Sequence, residues 1–260
     1  MLPEPLLWNR GPLHGLSLPG YEDLNPAALP WREAASKEPL PTGVLLAKRS
    51  RSRLVLAANF HGERLYFKRA RARTFRHRLS AHLRGDKLQR EWHAAREFLA
   101  AGVIVPVPVL YATAGHHETY LVTRGLPSAW QPLSHWFREN GLDQEQLDAL
   151  ADYTRWLHAL PAYHDDYRTD HVYRTDAPPT APIGERYALI DLDGSTTGRI
   201  PTRRQREEAL LELFVALLRR PFTIAHATRF IERYANTQHR LKPDALYAQA
   251  TELFRTAKPE

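Results

Sequence analysis

Three short apolar runs of strand length precede a half of the chain that reads as helical, and this order limits the fold more than any composition figure. Val44-Leu45-Leu46, Leu54-Val55-Leu56 and Leu65-Tyr66-Phe67 are separated by a basic turn, Lys48 to Arg53, and by the turn signal His61-Gly62. The third run ends on Lys68. Leu88, Trp92, Ala95 and Leu99 then repeat at helical spacing, which predicts a helix over 87–100 that Gly102 stops. Val103 to Val109, with two prolines, reads as a connector into a further strand, and Tyr120-Leu121-Val122-Thr123 as a buried strand. Strands first and helices after place the chain in the α+β class.

The second half carries helical stripes at Leu147, Leu150, Thr154 and Leu157, at Leu210 to Leu218, and at Phe230, Ile231 and Tyr234, with a short helix starting at Leu133. Between the first two stripes lies a loop-rich stretch, 161–202. It holds His164-Asp165-Asp166 and, after the strand-like Tyr187 to Ile190, Asp191-Leu192-Asp193. A lysine followed by two acidic motifs is an order suited to phosphoryl transfer. The lysine offsets phosphate charge, one aspartate orients or deprotonates a hydroxyl, and a later one holds Mg²⁺. The layout predicts three segments: a Pro-rich arm over 1–42, a sheet-plus-helix lobe over 43–125, and a helical lobe over 126–260. Eight prolines between Pro3 and Pro41 predict that the arm is irregular.

The absence of cysteine excludes disulfides and thiolate zinc sites. No run of about 18 apolar residues is present, and the start lacks a basic-then-apolar leader, so the expected location is the cytoplasm. The net charge of +7 is uneven: Lys48 to Arg90 holds 14 Lys and Arg against Glu63 and Asp86. Such a region is either a solvated face or a surface for polyanions. With no aromatic-interleaved recognition motif, nucleic acid is not the expected partner.

Several segments, in order, resemble the lipopolysaccharide core kinase family (Kdo/heptose kinases, Kdo/WaaP type): Tyr66-Phe67-Lys68-Arg69, Phe75 to Leu79, Leu88 to Trp92, Leu99 to Val103, His164-Asp165-Asp166-Tyr167 with His171, and Ile190-Asp191-Leu192. The similarity spans about residues 44–220. It implies a protein-kinase-like two-lobe fold, with an N-terminal antiparallel sheet plus one helix and a mostly helical C-terminal lobe. It also implies use of ATP and Mg²⁺. The implied acceptor is a sugar hydroxyl, Kdo or heptose, of the lipopolysaccharide inner core, and the resemblance admits peripheral contact with the anionic inner-membrane leaflet.

Residue by residue, the resemblance places Lys68 on the nucleotide phosphates and Glu91 as its partner, with Glu97 as fallback. Asp166 becomes the catalytic acid, with Asp165 as competitor, and His164 braces the loop. His171 stands where typical protein kinases have a metal-holding asparagine. Imidazole is a poor Mg²⁺ ligand, so either contact with phosphate or metal-bound water, or a buried structural role, is expected there. Asp191 is the expected metal ligand, and Asp193 stays open because two residues along a strand share a direction.

The turn before the second strand has no glycine, so Lys48, Arg49, Arg51 and Arg53 either approach phosphate through side chains or form an exposed basic hairpin. Arg71, Arg73, Arg76 and Arg78 suit docking to an anionic surface. Arg124-Gly125 departs from the acidic residue common at the hinge, and Tyr167 from the usual aliphatic. Neither departure removes a required charge. Two rival readings stay open: a catalytically inactive kinase-like binding protein of the envelope, which the missing glycine loop favours, and a small-molecule kinase with a non-glycan acceptor.

Overall fold

The structure is a computed structural model that describes residues 2–50, 53–71, 86–115, 118–235 and 241–257. It divides into two compact units: residues 1–99 with 106–126, and residues 100–105 with 127–260.

The first unit is built on a seven-stranded antiparallel sheet: β1 (Leu6–Arg10), β2 (Leu13–Ser17), β3 (Leu45–Arg49), β4 (Arg53–Phe60), β5 (Glu63–Arg71), β6 (Val107–Ala114) and β7 (Glu118–Arg124). Their spatial order is β1-β2-β6-β7-β5-β4-β3. Pro108 is accommodated in β6 because the register against β7 slips there, between Pro108 and Leu110. Opposed residues of adjacent strands share a face, so the sheet sorts its side chains strictly. Lys68 pairs with Val55 on one side and Leu121 on the other, whereas Arg69 pairs with Leu54 and Tyr120. The Lys68 face meets α2 (Lys87–Ala100), whose Glu91 reaches Lys68. The Arg69 face meets α1 (Trp31–Ser36), with Trp31 against Tyr120. The core joins Leu88 and Trp92 of α2 to Leu65, Phe67, Leu121 and Trp31. Each fully buried side chain of this size contributes roughly 1.5–3 kcal/mol.

The expectation of an irregular arm is corrected. Residues 6–17 form a hairpin that extends the sheet, with β2 paired to β6. The prolines bracket its strands rather than interrupt them: Pro5 precedes β1, Pro12 sits in the turn after Gly11 at φ 60°, and Pro19 follows β2.

The second unit contains α3 (Leu133–Asn140), α4 (Gln144–His158), α5 (Arg203–Leu217), α6 (Ile224–Ala235) and α7 (Pro243–Thr256). The last helix has no counterpart in the expected stripes. Packing runs α4 on α6, α5 on α7, and α6 on α7. Asp143 caps α4 through the Glu145 amide, and Thr202 with Gln205 forms a capping box on α5.

Two small ladders lie between α4 and α5, and they are nested. β9 (Ala162–Tyr163) pairs with β12 (Thr196–Thr197), and within that loop β10 (Val172–Arg174) pairs with β11 (Tyr187–Leu189) and with β8 (Gln131–Pro132). Nesting forces residues 164–171 and 190–195 side by side. Both acidic motifs lie in those two stretches.

Candidate active site

In the first unit, Lys68 on β5 is ion-paired to Glu91 Oε1 on α2. The Glu91 side chain is 5% exposed, and its second oxygen, Oε2, is buried with no hydrogen-bond partner among the described residues. Glu97 is exposed on the same helix and is not the partner. Arg53 pairs with Ala70 in the ladder, two positions from the Val55–Lys68 pair, so it shares the Lys68 face; Lys48, opposite Val55, does too. Arg49, opposite Leu54, falls on the Arg69 face. Arg51, Arg73, Arg76 and Arg78 lie outside the described residues, as does the Phe75–Leu79 segment. Arg124 is engaged by Glu63, Nη1 to Oε1 at 3.1 Å.

In the second unit, the nested ladders bring Asp166, His171 and Asp191 together: one ligand atom from each lies within 4.8 Å of the others. Ile190 pins the arrangement from both ends. Its amide donates to the His171 carbonyl at 3.0 Å, and its carbonyl accepts from His164 Nε2 at 2.9 Å. That contact fixes the His164 tautomer and leaves its Nδ1 buried without a partner. Burial pushes the His164 pKa down to about 4, so this imidazole is neutral and braces the loop against the residue preceding Asp191. Tyr167, fully buried, shares a 2.9 Å hydrogen bond with Thr154 on α4 and anchors the same loop.

His171 Nδ1 lies 3.0 Å from the Asp166 carbonyl and donates to it. Its Nε2 lies 3.9 Å from the Asp191 carboxylate. Asp191 itself holds a left-handed backbone, φ 58°, rare for a residue other than glycine and common at sites under functional constraint. Asp193 is half-buried in the same segment. Burial, then the charges of Asp166, Asp193 and Asp191, raise the pKa of Asp165. Four carboxylates in so small a volume repel one another, and two carboxylates beside an imidazole suit a hard, oxygen-preferring dication. The residues therefore fit Mg²⁺.

Two participants escaped the sequence reading. Arg168 Nε lies 3.0 Å from Asp166 Oδ1, without the alignment of a hydrogen bond. Gly194, at φ 100°, passes so close to Asp165 that a Cβ there would sit 1.9 Å from Oδ2. An arginine two residues after the acid, and a glycine directly after the second motif, were the available signals.

The model of the lipopolysaccharide kinase (Kdo/WaaP) family matches residues 46–234. No curated protein matches the chain. Among solved structures, WaaP in complex with acyl carrier protein aligns with a TM-score of 0.61 at 20% identity, covering 97% of this chain and 98% of that one. WbdD gives a TM-score of 0.47 at 18% identity over 83% of this chain and 51% of its own, and the BubR1 kinase domain 0.45 at 14% over 82% and 80%. The fold is protein-kinase-like.

Proposed function

Because this chain belongs to the lipopolysaccharide kinase (Kdo/WaaP) family, a family of phosphotransferases that use ATP, we propose that it transfers the γ-phosphoryl group to a hydroxyl of Kdo or heptose in the lipopolysaccharide inner core. The observation that carries the reading is the convergence of Asp166, His171 and Asp191 within 4.8 Å, from segments 25 residues apart in sequence.

Lys68, held by Glu91, offsets charge on the nucleotide phosphates, and Arg53 on the same sheet face adds to it. Asp191 and Asp193 would hold Mg²⁺, which supplies charge neutralisation and a template for the phosphates. Asp166 orients the acceptor hydroxyl and accepts its proton late, while Arg168 and the His171 ring limit where its carboxylate points. His164, neutral and buried, keeps the two acidic segments in register. The basic excess between Lys48 and Arg90 supports peripheral contact with an anionic leaflet, which vesicle sedimentation at rising salt tests. Among the described residues no helix is long and apolar enough to cross a membrane.

The decisive experiment is γ-phosphate transfer onto delipidated core glycans from a strain lacking this protein. Asp166→Ala is expected to abolish transfer while nucleotide still binds, and Asp191→Ala to weaken Mg·ATP binding. Wild-type turnover in Asp166→Ala refutes the assignment.

A further inference from the structure

The second unit holds a cavity of about 340 Å³ beside the acidic loop. Its lining includes Ser134 and Arg138 from α3, Thr169 and Asp170 from the loop, and Arg219 and Arg220 from the chain following α5. Three arginines and His135 thus line the cavity with one acid, Asp170. Several other arginines of this unit do meet a carboxylate: Arg155 meets Asp152, Arg168 Asp166, Arg229 Asp148 and Arg233 Asp152. Arg138, Arg219 and Arg220 form no ion pair among the described residues.

Two hydrogen bonds tie the wall together. Arg220 Nη2 donates to the Ser134 carbonyl at 3.2 Å, and the Ser134 amide donates to the Thr169 carbonyl at 3.1 Å. Phe137 and Leu217 are buried behind it. Thr169 follows Asp166 by three residues, so their Cα atoms are at most about 11 Å apart. A group held in the cavity and a hydroxyl at Asp166 are therefore within reach of one short glycan.

We propose that this cavity binds an anionic group of the acceptor, carboxylate or phosphate, and sets acceptor specificity through Arg138 and Arg219. Planar guanidinium forks match both anions, and a guanidinium without a protein carboxylate gains most from one. The inference rests on the reading of Asp166 as the residue that meets the acceptor hydroxyl.

Binding and transfer are tested separately on the full chain. Titration calorimetry compares free Kdo, its carboxyl-reduced form and inorganic phosphate on the wild type and on Arg138→Ala/Arg219→Ala. Both residues are exposed, and Arg220 is left intact because it supports Ser134; thermal unfolding of the variant checks its fold. The wild type is expected to bind the acid sugar at least about tenfold more tightly than the reduced form, and the variant to lose that preference. In transfer, the wild type should favour the acidic core glycan over its carboxyl-reduced form by a similar factor, expressed in KM, and the variant should not.

Phosphate binding as tightly as Kdo, with the reduced sugar unbound, identifies phosphate as the source, provided a phosphorylated glycan then gains the same KM advantage. Discrimination retained by the variant, or none in the wild type, overturns the proposal. A wild type that phosphorylates no glycan overturns the proposed activity, while the titration still decides the cavity.

Discussion

Lys68 and Arg69 are neighbours on β5, and each is tied to a glutamate, yet the sheet sends them to opposite faces. Arg69 meets Glu118 Oε1 and lies over the Trp31 ring, 5.5 Å from its centroid. Glu118 also accepts from the Tyr120 hydroxyl at 2.6 Å and pairs with Arg71 at 3.4 Å. Among the described residues, no buried polar atom of that group is without a partner. On the other face, Glu91 has one oxygen on Lys68 and one buried without a partner among the described residues. Desolvation offsets most of the gain of a buried ion pair, so neither pair is strong evidence of stability. The difference is one of completeness. The Arg69 group closes on itself and ties the arm to the sheet. The Lys68 pair is unfinished, with one carboxylate oxygen left over among the described residues.

The largest expected effect breaks the comparison directly. Replacing each pair by apolar residues of similar size avoids stranding a single charge. Lys68→Met/Glu91→Leu should leave stability unchanged or raise it by about 1–4 kcal/mol. The same variant should lower kcat/KM for transfer by about 10³-fold or more. Arg69→Met/Glu118→Leu should leave transfer within about threefold, because that group lies on the sheet face opposite Lys68. Urea unfolding and transfer kinetics on both variants are sufficient. Equal losses of transfer would erase the distinction between the faces.

The second unit repeats the contrast in its histidines. His171 lies beside the acidic cluster, its Nε2 3.9 Å from Asp191, whereas His164 is sealed against the Ile190 carbonyl. Burial holds His164 at a pKa of about 4, against roughly 6.5 in an unfolded chain. The unfolded state therefore takes up a proton first as pH falls. The stability contribution is whole above pH 6.5 and is lost at about 1.4 kcal/mol per unit down to about pH 4, near 3 kcal/mol in all. His164→Asn should flatten that part of the stability–pH profile in urea titrations at successive pH values. A variant with the wild-type slope would show that the ring is not sealed.

Much of this was legible in the sequence, for physical reasons that differ by element. The α2 stripe of Leu88, Trp92, Ala95 and Leu99 gave its bounds, Lys87–Ala100, because one face is buried and Gly102 follows. Lys68 and Glu91 were readable as partners only through their resemblance to a family, since a contact 23 residues apart depends on how helix and sheet pack. The arm was misread because prolines were weighed as breakers wherever they stood. Pro5, Pro12 and Pro19 flank strands, where a missing amide hydrogen costs nothing in the ladder. The part Ile190 plays was invisible, because it acts through its backbone, and only the nested β9–β12 and β10–β11 ladders give that backbone its two partners. The arginines of the cavity beside α3 carried no motif, being distributed over two helices' ends.

The smallest effect tests how rigidly the acidic segments are aimed. Gly194 and Gly198 both have positive φ, 100° and 83°, so alanine is strained at either. They differ in space: a Cβ at Gly198 meets nothing within 4 Å, whereas at Gly194 it collides with the Asp165 carboxylate. Gly198→Ala should therefore cost about 1 kcal/mol, the backbone strain alone. Gly194→Ala should cost about 2–3 kcal/mol, since Asp165 must also be displaced among three other carboxylates. If the acid cluster needs its present spacing, Gly194→Ala should also weaken Mg·ATP binding several-fold, with Gly198→Ala as the control that keeps it. Equal effects of the two substitutions on Mg·ATP affinity would mean that the cluster tolerates movement of Asp165. The approach of Gly194 would then be a consequence of the turn rather than a determinant of the site.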